Sequence, residues 1–196
     1  MSSSRRVGAE TSKTRDSLLN CVERLMLEEG YASVTYRAIA KKASVTPGLV
    51  QYYFPTLDDV FVAAIRRRSE QNLERLTEAL RTRAHQPLRV LWEYAWEESA
   101  AALTTEFLAL GNHRKSIRAE IAEGSERVRR IQLDALNEVF SRKDIEKGNF
   151  SPDALLFLLT GIPKLIRLEE GVGISSAHAE VMKGFEGYLE SVEPSS

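Results

Sequence analysis

Apolar residues along this chain recur at three- and four-residue intervals and almost nowhere alternate. Leu18, Cys21, Val22, Leu25 and Met26 fall at i, i+3, i+4, i+7 and i+8, one face of an amphipathic helix. Ser12 is placed to cap its start and Gly30 to end it. A second, short helix is expected from a cap at Thr35 through Lys42, with Val34, Ile39 and Ala40 turned inward. Thr46 caps a third, whose first position holds Pro47, a residue lacking the N–H that would go unpaired there. Phe54-Pro55 stops it. Thr56 to Asp59 has capping-box spacing and opens a long fourth helix reaching about Arg83, with Val60, Phe61, Ala64, Ile65, Leu73, Leu76 and Leu80 inward.

Beyond Gln86-Pro87 the same periodicity continues. One helix begins near Leu88, a short one lies around Phe107 to Leu110, and a long one spans about Lys115 to Arg142. A break is expected at Lys147-Gly148-Asn149. Ser151, Pro152 and Asp153 then combine a cap, a first-turn proline and an acid that suits the helix dipole. The helix behind them is apolar nearly all round, and Gly161 and Pro163 are expected to kink it. Gly171 to Gly173 separates it from a last helix carrying Val181, Phe185, Tyr188 and Val192. The chain reads as all-α, with about nine helices.

Composition narrows this picture. Hydrophobic residues at 43% and charged residues at 28% are ordinary for a globular chain of 196 residues. The net charge of -1 hides an asymmetry: residues 1–56 hold eight Lys/Arg against five Asp/Glu, the remainder nineteen against twenty-three. A basic front and an acidic back point the front at a polyanion. Arg66-Arg67-Arg68 reads as a solvated face. The lone Cys21 rules out an internal disulfide, fits a reducing compartment and reads as a buried, inert thiol. MSSSRRVGAETSK has arginines but no apolar stretch behind them, and the run Ala154 to Ile162 is too short to cross a bilayer. A cytoplasmic protein with no membrane association is expected. His85, His113 and His178 lack ligand spacing, so no metal or other cofactor is expected. No paired carboxylates, nucleophile–base set or phosphate-cradling loop appears, which argues against an enzyme.

The second and third helices, joined by a three-residue turn and backed by the first, have the makings of a helix-turn-helix unit. Such a unit lays its second helix in the DNA major groove. Gln51 can pair with adenine, Leu49 can touch a thymine methyl, and Arg37 can reach a guanine or the backbone. Tyrosine and threonine hydroxyls donate to phosphates and fix register.

Val34-Thr35-Tyr36-Arg37-Ala38-Ile39-Ala40 followed by Val45-Thr46-Pro47-Gly48-Leu49-Val50-Gln51-Tyr52-Tyr53-Phe54 resembles the DNA-binding signature of the tetracycline-repressor (TetR) family. The likeness extends from Glu29-Gly30-Tyr31 to Asp58-Asp59, roughly the first third of the chain. It implies a DNA-binding domain over 1–56 and a ligand-binding and dimerisation domain over 57–196. It also implies a homodimer on a pseudo-palindromic operator, usually a repressor released by a small-molecule effector. By position, Arg37, Pro47, Gly48, Leu49 and Gln51 would face bases, and Thr35, Tyr36, Thr46, Tyr52 and Tyr53 would hold phosphates.

Three positions depart from the family pattern. Ser44 stands where glycine is common, which suggests a different local backbone. Pro47 and Leu57 stand where lysines are frequent, so two cations are missing. Arg5, Arg6, Lys13 and Arg15, in an N-terminal arm, are placed to compensate. Trp92, Trp96, Phe107 and His113 are the candidate ligand residues, and the last two helices look too apolar for anything but pairing with their copies. The alternatives are a ligand-independent regulator or an activator and, remotely, a helical enzyme carrying the motif.

Overall fold

A computed structural model describes residues 3–99, 102–142 and 150–194, with side chains over 12–98, 103–141 and 150–194. The break expected at Lys147-Gly148-Asn149 and the side chains of Arg5 and Arg6 lie outside the described residues. Among those residues there are nine α-helices, a 3-10 turn and no strand: α1 (Ser3–Glu29), the turn Tyr31–Ser33, α2 (Tyr36–Ala43), α3 (Pro47–Tyr53), α4 (Leu57–Thr82), α5 (Pro87–Ser99), α6 (Ala102–His113), α7 (Lys115–Arg142), α8 (Pro152–Gly171) and α9 (His178–Val192). The all-α reading holds.

Two boundaries differ from expectation. Ser12 lies within α1 instead of capping it. No proline interrupts residues 3–12, so the helix extends through them and the residues read as an arm are part of α1. α6 is a full helix of 12 residues, turning Leu103, Phe107 and Leu110 inward at helical spacing. α8 runs through the buried Pro163 without interruption.

The chain divides into two compact units: residues up to Glu70 with Ala102–Gly124, and Gln71–Ala101 with the residues from Ser125 onward. The first unit is thus larger than the 1–56 segment read from the sequence; it takes in the front of α4, α6 and the start of α7. Its core gathers Leu18, Leu19, Val22 and Met26 of α1, Ile39 of α2, Val50 and Phe54 around α3, and Phe61 of α4. Phe107, Leu110 and Ile117 complete it. Gly124 lets α7 come close to α4, since a Cβ there would lie 2.5 Å from Ser69 Oγ and 3.2 Å from Ser69 Cβ.

The second unit packs α5 chiefly on α8. Leu88, Leu91 and Trp92 meet Leu155, Leu156 and Leu159, with Leu76, Leu136 and Leu189 closing the cluster. Trp92 stacks on Phe185 at 4.6 Å and meets Trp96 edge-on at 5.7 Å; Arg167 lies over Trp96 at 5.2 Å. The outer side of α8 stays apolar and uncovered, with Phe157, Leu165, Leu168 and Val172 exposed. Among the described residues no helix is long and apolar enough to cross a membrane, and no group of His, Cys, Asp and Glu is arranged to hold a metal ion.

Candidate nucleic-acid interface

α2 and α3 are started by local chemistry. Thr35 accepts from Ala38 N at 3.1 Å and Thr46 from Leu49 N at 3.3 Å, each satisfying an N–H that the helix leaves unpaired. In both cases the hydroxyl accepts, so its own proton remains available to an outside acceptor. Between the helices Ser44 adopts φ 55° and ψ 42° and closes α2, with Val45 N bonding back to Ala40 O at 2.9 Å. The serine therefore holds a left-handed conformation, the region that favours glycine.

α3 has a clear division of faces. Val50 and Phe54 point into the core, one turn apart. Thr46, Pro47, Gly48, Gln51 and Tyr52 are exposed on the other side, Tyr52 by 76%, and Leu49 and Tyr53 are half-buried at the flanks. The rings of Tyr52 and Tyr53 meet edge-on at 5.3 Å, which steadies the exposed one. Thr35 and Arg37 are exposed on α2. Nine of the ten residues assigned to DNA from the sequence thus have an outward or flanking position with a free group or open surface.

Tyr36 is the exception. Its hydroxyl donates to Phe54 O at 3.0 Å and Pro55 O at 2.9 Å, tying the start of α2 to the end of α3. Burial, reinforced by the Asp59 carboxylate, pushes the phenol's pKa up and keeps that proton in place. The Tyr36 hydroxyl, assigned to phosphate from the sequence, is here engaged within the unit.

The charged residues nearby also differ from expectation. Arg66 pairs with the buried Glu120 through two bonds of 3.0 and 2.6 Å, and Arg67 reaches Glu23 at 2.6 Å and Asp16 O at 2.9 Å. These arginines join α4 to α7 and α1, Arg66 while still exposed to solvent and Arg67 largely covered. Arg15 lies 5.3 Å from the Phe54 ring centre, packed on the unit. Cys21 is half-buried at the edge of the core, where full burial was expected.

Polar contacts also secure the unit from behind. Glu106 of α6 accepts from Tyr31 N at 2.8 Å. Asp58, at the start of α4, accepts from Ser116 Oγ at 2.6 Å and is paired with Arg114. Those bonds, Ser116's first and Arg114's next, hold its carboxyl below the ordinary range.

Residues 19–64 match the family described as "Bacterial regulatory proteins, tetR family". That segment contains α2 and α3 with the last eleven residues of α1 and the start of α4. The chain thus carries a DNA-binding segment of the TetR kind. It is similar to the HTH-type transcriptional repressor BepR of Brucella suis biovar 1 (strain 1330), 28% identical over 140 residues that span 67% of this chain and 65% of that protein. Among solved structures it is similar to a putative transcriptional regulator from Saccharomonospora viridis in complex with choline: 16% identity, 91% of this chain, 96% of that one, TM-score 0.68. A second is the transcriptional regulator FadR from Bacillus subtilis in complex with stearoyl-CoA: 18% identity, 90% of this chain, 96% of that one, TM-score 0.68. These two show that the overall fold is shared.

The candidate ligand residues are divided between the two units. Trp92 and Trp96 belong to the second unit's core cluster, Phe107 to the first unit's, and His113 is exposed at the end of α6. Asn112 and Arg114, beside it, serve the helix junction: Asn112 O accepts from Arg118 and Arg114 pairs with Asp58.

Proposed function

We propose that this chain is a TetR-family homodimeric transcriptional repressor of the cytoplasm. Its two α3 helices sit on a pseudo-palindromic operator, about 34–36 Å apart, and a small-molecule ligand releases them. Residues 1–56 carry every DNA-facing group in this reading; the remainder pairs the chains and holds the ligand. The exposed stripe on α8 supports the pairing, because two copies facing each other would cover it.

Gly48 is the observation that carries the reading. Its φ is not in the left-handed region, and an added Cβ would meet nothing within 4 Å. Nothing inside the molecule asks for glycine there, although glycine costs a helix up to ~1 kcal/mol relative to alanine. A surface approaching from outside explains it, and Gln51 and Tyr52 on the same face are suited to a groove edge and a phosphate.

The experiment is a gel shift with the DNA upstream of the protein's own gene. The native chain is expected to shift it specifically. Gly48→Ala is expected to keep or raise thermal stability while weakening the complex at least about tenfold, a loss of ~1.4 kcal/mol. Unchanged affinity in a folded Gly48→Ala variant would overturn the reading of this face. The choline and stearoyl-CoA of the similar structures are chemically unlike each other, so ligand class has to come from this chain's own side chains.

A further inference from the structure

α2 and α3 are joined twice. At one end the chain itself joins them, through residues 44–46, where Val45 N bonds back to Ala40 O at 2.9 Å. At the other end the join is a side chain. The hydroxyl of Tyr36, the first residue of α2, donates to Phe54 O at 3.0 Å and Pro55 O at 2.9 Å, just past the last residue of α3. The two joins close a frame around Ile39, Ala40 and Val50, all of them buried. Apolar packing of that kind is non-directional, whereas a hydrogen bond weakens steeply as its angle closes. The hydroxyl therefore adds to the packing a constraint on the angle between the helices.

This clasp sits among the outward-facing groups. Thr35 and Arg37 flank Tyr36, and Gln51, Tyr52 and Tyr53 run directly up to Phe54. Thr35, Arg37, Gln51 and Tyr52 are exposed, so the bond fixes one set of candidate DNA contacts against the other. The segment it grips is also held from its far side. Thr56 N and Thr56 Oγ1 donate to the Asp59 carboxylate at 2.8 and 2.7 Å, and Asp59 N donates to Thr56 Oγ1 at 3.1 Å. The clasp thus closes on an anchored end of α3. A phenol carries a single proton, and while two carbonyls share it none is left for a phosphate oxygen.

We propose that Tyr36 is a positioning residue for sequence reading: its hydroxyl fixes the angle of α3 against α2, so that Arg37 and Gln51 reach base edges together, and it does not itself hold DNA. The proposal rests on the reading of α3 as the helix that enters the groove. Base-edge contacts need both helices correctly set, whereas non-specific binding is carried by backbone phosphates and tolerates a looser unit. Loss of the clasp therefore costs specific affinity and spares non-specific affinity.

The test uses the full-length protein and two duplexes: the tightest site that the native chain selects from a randomised pool, and a scrambled version of it. Tyr36→Phe removes the hydroxyl and keeps the ring. It is expected to weaken binding to the selected site about tenfold and binding to the scrambled duplex by less than about twofold. A second readout needs no DNA. Hydrogen exchange of the Phe54 amide, bonded to Val50 O at 2.9 Å, should quicken in Tyr36→Phe, while the amides of Val22 and Leu25 in α1 keep their protection. An equal loss on both duplexes would make Tyr36 a phosphate contact and overturn the proposal. Unchanged discrimination would overturn it too, even with a lower melting temperature, because the hydroxyl would then serve stability alone. Unchanged exchange at Phe54 would mean that the hydroxyl does not hold α3. A native chain that selects no sequence would bring down the DNA reading and this proposal together; one that selects a site, with Tyr36→Phe equally selective, brings down the proposal alone.

Discussion

Ser44 occupies the left-handed conformation at φ 55° with an ordinary Cβ, in the turn that sets the angle between α2 and α3. The side chain is exposed and forms no hydrogen bond with the described residues, so the conformation brings no compensating contact. Ser44→Gly is therefore expected to stabilise the protein by about 0.5–1 kcal/mol, the relief of strain exceeding glycine's extra freedom in the unfolded chain. In urea the midpoint should rise with the slope unchanged; a lower midpoint would count against strain at Ser44. Residues of this kind mark what the sequence makes visible. Thr35, Thr46 and Pro47 act on groups within three residues of themselves, so their roles could be read directly. Tyr36 bonds to carbonyls 18 and 19 residues further on, and no local pattern distinguishes it from a tyrosine facing phosphate.

Periodicity located every helix but not what its polar side meets, and the same limit applies between elements. Arg66 and Arg67 find partners 54 and 44 residues away, on helices whose own spacing carries no trace of the pairing. α6 was legible only in part because Thr104 and Thr105 are poor helix formers, and packing of Leu103, Phe107 and Leu110 overrides them. The junction of α4 with α7 has a testable pH signature. Ser116 and Arg114 depress the Asp58 carboxyl in the folded state, so its contribution is present above the unfolded value and is lost as pH falls through the folded one. The side chain is 39% exposed, which keeps the effect below ~1 kcal/mol. Native protein should melt above Asp58→Asn at pH 7, and the gap should close as pH drops below about 4. A gap independent of pH would mean that the Asp58 charge is not what joins the two helices.

The molecule as a whole leaves its most apolar surface on the outside of α8. Leu155, Leu156, Leu159 and Ile166 face inward, while Phe157, Leu165, Leu168 and Val172 are 57–75% exposed along the opposite side. Four large apolar side chains in one stripe exceed the scatter of single exposed residues normal for a monomer. Gly161 lies on the same side with nothing within 4 Å of an added Cβ, leaving room for a second backbone to come close. A twofold axis would let the stripe meet its own copy, which is the pairing the proposed homodimer needs. Leu165→Glu together with Leu168→Glu should therefore halve the mass in light scattering, because pairing would bury carboxylates without partners. The change is at exposed positions of the chain itself, so each monomer should keep its helical circular dichroism. DNA affinity should fall much further than stability, since two tethered half-site contacts become one. A variant that stays dimeric with both glutamates in place would remove α8 from the interface and, with it, the geometric basis for the paired readers.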